Sequence, residues 1–467
     1  RAPHLVRPVA FLVPIYKRHK PGMAVMDIGL WIYDALAMFG SPKLHRTFRG
    51  NTVHRIEPAL SVDQLAGALE YYDCFTDDAR LTLENVLDAR TLGADTFSYT
   101  EVTGFVRNQD GRITGVSVED VLAGGAHTIE ARAVALAAGP WTDELLANAG
   151  VSLGRRLLRP TKGVHIVVDH TRLPVTRAIT MFTRDNRVVF TLPWIERTVI
   201  GTTDTDFSGN PDDVFATRED VEYLCEHANA FFPNARLTPG DVLATWAGLR
   251  PLIAADASRP SDVSREHEIF ARNDGLLIIA GGKLTTYRKM AKELVDEAVR
   301  WISDHDAEGF ANKPDRCRTK HRPLPGAQGL EPPGQKGVRE LIARLVANAN
   351  VDARVAEHLA QTYGVRAESV LHNAATFGRA RERLDPELPY LWAEVDHAVT
   401  HDLARTLEDV LMRRIPMGLR ARDQGLSVAA AVAARMAEHL GWSAADQARQ
   451  VAAHQAQVAA SRRFRNG

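Results

Sequence analysis

The stretch LLIIAGGKLTTYRKMA, residues 276–291, limits what this chain can fold into more than any other. Its apolar lead predicts a buried strand from Leu276 to Ala280, its glycines Gly281 and Gly282 a turn without side-chain bulk, and the remainder a helix. The free N–H groups and dipole at such a helix start favour an electron-rich ligand. A nucleotide P-loop needs G-x-x-x-x-G-K-[ST]. With Gly282 and Lys283 as the G-K pair, its first glycine falls on Leu277 and its metal-binding hydroxyl on Leu284, so the spacing argues against ATP hydrolysis.

A second segment has the same design. ARAVALAAGPWTDELLANAG predicts a strand from Ala133 to Ala137, a turn at Ala138, Gly139 and Pro140, and a helix capped by Thr142. Two such units predict an open α/β sheet whose ligand lies at the carboxyl ends of the strands. Between them, KGVHIVVDH, AITMF, RVVFTLPW and TVIGTTDTDF alternate in the period of two that marks an antiparallel sheet, the usual wall of a substrate site. Upstream, residues 63–69 and 78–89 read as helices, and residues 94–120 as strands around an Asp-Gly turn. Residues 8–39 join an apolar stretch, a basic cluster (Lys17, Arg18, His19, Lys20) and an apolar helical segment carrying Trp31 and Tyr33. That combination suits either a surface turn leading to a core helix or a segment resting on a membrane surface.

A chain of 467 residues implies two or three domains. We place an α/β unit at 1–305, a Pro/Gly-rich charged linker at 306–334, and a helical domain at 335–460 whose apolar residues recur at helical spacing, followed by a frayed tail. With 57 Lys+Arg against 58 Asp+Glu the net charge is -1, so no nucleic acid partner is expected. Cys74, Cys225 and Cys317 are too scattered for a disulfide framework or a Cys-rich metal site. No run approaches the ~18 apolar residues of a membrane span.

Chemistry-bearing residues are few. Arg250 in WAGLRPL and Arg265 in the loop beyond offer planar forks for phosphate or carboxylate. If GLRPL pairs with the strand leading to Gly281, these two and Lys283 converge on one small anion. His165, in the alternating GVHIVV, is a core residue unless it faces the same pocket, where it would suit proton transfer. Asp204 and Asp206 in GTTDTDF lack a second ligand cluster, and no metal is expected.

YYDCFTDDARLTLEN, AAGPWTDELL, KGVHIVV, IGTTDTDF, WAGLRPL, AGGKLTTYRKMAKELVDEA and EVDHAVTHDLARTLEDVLMRR occur here in the order of the FAD-dependent glycerol-3-phosphate dehydrogenases, which the chain resembles over essentially its whole length. The resemblance implies an amino-acid-oxidase-like α/β FAD-dependent oxidoreductase, with an incomplete Rossmann-type layer beside an antiparallel substrate-domain sheet and an all-α C-terminal domain. It places the flavin-side contacts on Ala138, Gly139, Pro140 and Trp141, on Gly281, Gly282, Leu284 and Thr285, and on Val102 toward the adenine. It places substrate contacts on Arg250, Arg265, Lys283 and Thr286, with Arg250 and Lys283 also steadying the developing charge, and the proton acceptor on His165. The implied reaction is oxidation of sn-glycerol 3-phosphate to dihydroxyacetone phosphate by hydride transfer to FAD. The implied acceptor is membrane quinone, which goes with a peripheral seat on the cytoplasmic membrane, and a homodimer is compatible with it. Rivals are a glycerol-3-phosphate oxidase using O2 and a flavin-free remnant that keeps only the anion pocket. Family members open with a G-x-G-x-x-G strand that this sequence lacks, so the expectation is a natural chain that begins earlier and a fragment that is itself a poor enzyme.

Overall fold

The computed structural model describes residues 1–17, 22–36, 38, 42–185, 187–254, 266–306, 309–310, 314–349, 351–373 and 378–465. Strand β1 (Arg7–Tyr16) and helix α1 (Met23–Leu36) come first, then β2 (Arg46–Arg49), α2 (Asn51–Ile56), β3 (Leu65–Phe75) and α3 (Asp78–Thr91). Strands β4 (Thr100–Arg107), β5 (Ile113–Asp120) and β6 (Ala126–Glu130) make a small antiparallel sheet, after which β7 (Val134–Leu136) leads to α4 (Thr142–Asn148). The middle holds β8 (Leu158–Asp169), β9 (Ala178–Phe182), β10 (Val188–Trp194), β11 (Arg197–Gly201), β12 (Thr205–Asp206), α5 (Arg218–Phe231) and β13 (Val242–Ile253). Strands β14 (His267–Ala271) and β15 (Leu276–Gly281) and helix α6 (Tyr287–His305) complete this half. The rest is helical: α7 (Gln335–Ala349), α8 (Ala353–Tyr363), α9 (Ala367–Asn373), α10 (Trp392–Thr400), a π turn over Asp409–Arg414, α11 (Met417–Arg420), α12 (Ala429–Leu440) and α13 (Ala444–Ser461).

The large sheet runs β12-β8-β11-β10-β9-β1-β3-β2, with β13 also paired to β8, and is antiparallel apart from the β1/β9 contact. Alternation along β8 sorts its side chains. Val164, Ile166 and Val168 enter a core with Val221, Leu224, Ala228 and Phe231 of α5, each of the larger side chains contributing about 1.5–3 kcal/mol when fully buried. Thr161, Gly163 and His165 are left for the other face. Helix α5 begins in a capping box, where Thr217 Oγ1 accepts from Asp220 N and the Asp220 carboxylate accepts from Thr217 N. The same carboxylate takes Lys162 Nζ at 2.5 Å, so the helix start is tied to the strand.

A second sheet has the order β14-β15-β7. Strand β15 buries Leu276, Ile278 and Ala280 on one side and Leu277 and Ile279 on the other, against Leu294 and Trp301 of α6. Burial on both faces explains why its sequence is a continuous apolar run.

Four expectations are corrected. Residues 65–69 open β3 instead of a helix, because Leu69 and its neighbours pair antiparallel with β1, as in Val13↔Leu69, and tertiary pairing outweighs local propensity. Thr142 is inside α4, with Trp141 at the cap position, and its Oγ1 donates backward to Gly139 O at 2.8 Å. GLRPL pairs with β8, as Arg250↔Thr161 and Leu252↔Arg159, and not with the strand leading to Gly281. The C-terminal tail is packed: Phe464 sits in the α5 core, and Arg465 donates to Val242 O at 2.6 Å. In the stretch read as a linker, Leu324, Ala327 and Leu330 are buried, and Gly326 N donates to Glu84 Oε2 at 2.8 Å.

Candidate active site

Three strands build one wall. On the face turned away from α5, His165 stands opposite Gly201 of β11 and Trp246 of β13. Its ring stacks on Trp246, with centroids 4.7 Å apart and planes 11° from parallel. A Cβ on Gly201 would run into the imidazole, so glycine there is what lets the ring lie down. Further along, Gly163 faces Gly248 and Thr161 faces Arg250. A Cβ at Gly248 would meet nothing within 4 Å, so the wall opens there. A Cβ at Gly163 would strike the Arg250 guanidinium and Thr202 Oγ1, so the arginine lies across a backbone stripped of side chains.

Arg250 is aimed by its neighbours. Nη1 donates to Asp204 Oδ1 at 3.1 Å, and Nη2 donates to Thr202 Oγ1 and to Thr203 O, each at 3.2 Å. Burial first, and then the charge of Arg250, depress His165 to about 4. The imidazole is therefore neutral near pH 7 and able to accept a proton. Its Nδ1 is buried with no hydrogen-bond partner among the described residues.

The two glycine turns lie side by side. Strand β7 runs parallel to β15, Val134 facing Leu276 and Leu136 facing Ile278, so both turns leave the same carboxyl edge. Gly139 has φ 54°, Gly281 φ 73° and Gly282 φ 89°, values that side-chain-bearing residues rarely adopt. Beyond Ala138, Gly139 and Pro140, Trp141 donates from Nε1 to Asp212 at 2.9 Å. Trp141 and Val102 line one cavity of about 470 Å³ with Glu101, Thr103, Glu144 and Asp212. At the other turn Lys283, Leu284, Thr285 and Thr286 are exposed, and Thr286 Oγ1 donates to Lys283 O at 3.0 Å. A Cβ on Gly281 would press on Ile253, the last residue of β13. Lys283 thus stands by the end of the strand that carries Arg250, whose own position is three residues back, about 10 Å along it. Arg265 lies outside the described residues.

Sequence reasoning missed Trp246 as the partner of His165 and the glycine triad Gly163, Gly201 and Gly248. The clue was there, since KGVH, IGTT and WAGL each put a glycine near a residue of chemical interest. Asp204 and Asp206 hold arginines, Arg250 and Arg159, and among the described residues no group of side chains is disposed to hold a metal ion.

Paired left-handed glycine turns, an opening beside Trp141 and an orphaned imidazole nitrogen suit a bulky planar cofactor such as a flavin. A family model described as FAD dependent oxidoreductase matches residues 31–296, and one described as the C-terminal domain of alpha-glycerophosphate oxidase matches residues 317–447. By fold and site, then, this is an FAD-dependent oxidoreductase. An aerobic glycerol-3-phosphate dehydrogenase of Staphylococcus haemolyticus is 34% identical over 417 residues, which is 88% of this chain and 73% of that one. One from Staphylococcus aureus (strain MRSA252) is 32% identical over the same shares. The solved glycerol-3-phosphate dehydrogenase of Bacillus halodurans, complexed with FAD, superposes with a TM-score of 0.79 at 31% identity, covering 99% of this chain and 84% of that one. The chain belongs to the aerobic glycerol-3-phosphate dehydrogenase family.

Proposed function

We propose that this chain oxidises sn-glycerol 3-phosphate to dihydroxyacetone phosphate and that its electrons pass to a quinone at a membrane surface. The observation that carries the reading is the wall on which Arg250 and His165 share one glycine-floored face, next to two turns shaped for a cofactor. FAD, when bound, supplies the two-electron acceptor; Gly139, Pro140 and Trp141 would hold it on one side, Gly281, Gly282, Leu284 and Thr285 on the other, and Val102 toward its adenine. Arg250 binds the phosphate with its fork, and Lys283 and Thr286, with Arg265, complete the anion site. Neutral His165 takes the proton of the C2 hydroxyl, and the nearby cations steady the charge that develops on that oxygen.

Two surface features support the acceptor. On α1, Met23, Met26 and Leu30 pack on β1 and β3, while Val25, Ile28, Ile32 and Leu36 point outward, Leu36 80% exposed. Lys17 and Lys43 are exposed and precede and follow α1 in the chain; Arg18, His19 and Lys20 lie outside the described residues. No helix among the described residues is long and apolar enough to cross a membrane, so α1 would rest on the surface. From the β10 strand toward α1 runs a series of rings, Phe190 to Phe11 at 5.8 Å, Phe11 to Tyr71 at 5.3 Å and Tyr71 to Tyr33 at 6.1 Å, an apolar floor for a quinone ring.

Anaerobic addition of glycerol 3-phosphate to the FAD-loaded protein should bleach the flavin, and a soluble quinone analogue should restore it faster than air does. Faster recovery with oxygen would make the protein an oxidase, and no bleaching would overturn the reading. Arg250→Ala should lower kcat/KM at least about a hundredfold, the scale of two lost charge-assisted hydrogen bonds, with FAD content unchanged.

A further inference from the structure

We infer that Asp204 is a positioning residue for substrate phosphate, acting through Arg250. The inference rests on the reading of Arg250 as the phosphate ligand. Strand β11 ends at Gly201 and β12 begins at Thr205. Across that gap half of the ladder is replaced: Thr203 N still donates to Val164 O at 3.4 Å, but Val164 N donates to Thr203 Oγ1 at 3.1 Å, a side chain in place of a backbone carbonyl. Thr203 is only 2% exposed and is pinned against β8 by this bond. Its pinning turns three acceptors toward β13, namely the Thr202 hydroxyl, the Thr203 carbonyl and the Asp204 carboxylate, and all three reach the guanidinium of Arg250.

A free arginine side chain loses much rotamer freedom when it grips a phosphate. Here that ordering is already done, and the fork presents a fixed edge. Asp204 also has an opposing effect, because its negative charge weakens the field the phosphate meets. The Arg250 and Asp204 side chains are 26% and 18% exposed, so solvent screens the field term only in part, whereas a misaimed fork loses its bidentate geometry outright. Orientation outweighs the field, and the carboxylate helps binding.

The test uses the FAD-loaded full chain. Asp204→Asn keeps the size and an acceptor oxygen but removes the charge that locks Nη1. It should raise KM for glycerol 3-phosphate roughly tenfold and weaken competitive inhibition by inorganic phosphate by the same factor, with kcat within about threefold. Flavin content and melting temperature should match the parent protein, and Asp204→Glu should recover part of the loss. In an Arg250→Lys background, which has no fork to aim, Asp204→Asn should change KM less than about twofold. An unchanged or lowered KM for Asp204→Asn beside a raised one for Arg250→Lys overturns the inference alone, as does a full extra loss in the double variant. An unchanged KM for Arg250→Lys overturns the reading beneath it.

Discussion

His165 combines a stacked ring, a sealed Nδ1 and a neighbouring cation, and its acid–base behaviour follows from them. Burial, then Arg250, depress it to about 4, against about 6.5 for the unfolded chain. The unfolded chain therefore holds more protons between those values, so the contribution of His165 to stability is complete above pH 6.5 and is lost as the pH falls toward 4. Activity has the same sign. After correction for the fraction of substrate present as dianion, kcat/KM should be flat from pH 8 down to about 5. An inflection near 6.5 that disappears in His165→Asn would mean that the imidazole is not desolvated in the free enzyme. Most of this was legible in sequence only through family resemblance. An isolated histidine in GVHIVV reads as core, and only the register Gly201–His165–Trp246 turns it to the open face.

Glycines do different work in strands and in turns. At Gly248 a side chain would point into open space, so Gly248→Val should fold with a melting temperature within about 3 °C of the parent while lowering kcat/KM tenfold or more, roughly the penalty for displaced substrate. Gly282 is the contrasting case. Its φ of 89° and the proximity of Met290 mean that Gly282→Ala should cost about 1–2 kcal/mol of stability in thermal unfolding. The GG turn was plain in the sequence because both neighbours are glycine and the strand before it is apolar. The β8/β13 glycines were not, since a strand glycine acquires meaning only when its cross-strand neighbour is known. For the same reason residues 65–69, with Leu65, Leu69 and acceptable helical spacing, misled: β1, their partner, is some fifty residues away.

At the scale of the molecule, buried charges join the sheet half to the helical half. Arg420 of α11, 3% exposed, lies over the rings of Trp194 and Tyr390, bonds to Tyr390 Oη at 2.5 Å and pairs with Glu196. Arg197 Nε in turn donates to Arg420 O at 2.7 Å. Arg80 of α3 reaches across to Asp402 and sits over the Tyr363 ring. Breaking such a pair would strand a buried charge, and the links from Arg420 to Glu196 and Arg197 and from Arg80 to Asp402 were invisible in sequence because each joins residues more than two hundred positions apart. Helix α1 is the complementary case: its apolar helical character was legible because its residues are local, but whether it joined the core or faced outward was not, and Val25, Ile28, Ile32 and Leu36 face outward. Ile28→Glu with Leu36→Glu should cut cosedimentation with vesicles containing anionic phosphatidylserine about tenfold, the effect of losing one or two buried apolar side chains, while turnover with a soluble dye is unchanged. Equal sedimentation would remove α1 from the membrane contact.

The two-residue period of β8 carries a last consequence. His165 and Val164 are adjacent, and only the parity of the strand decides which of them faces the open wall and which meets α5. One residue gained or lost between Leu158 and Gly163 would exchange them, driving an imidazole into the hydrocarbon core and a valine into the open wall beside Arg250. Substitutions can tune this site step by step, but its reading frame in space admits changes only in twos.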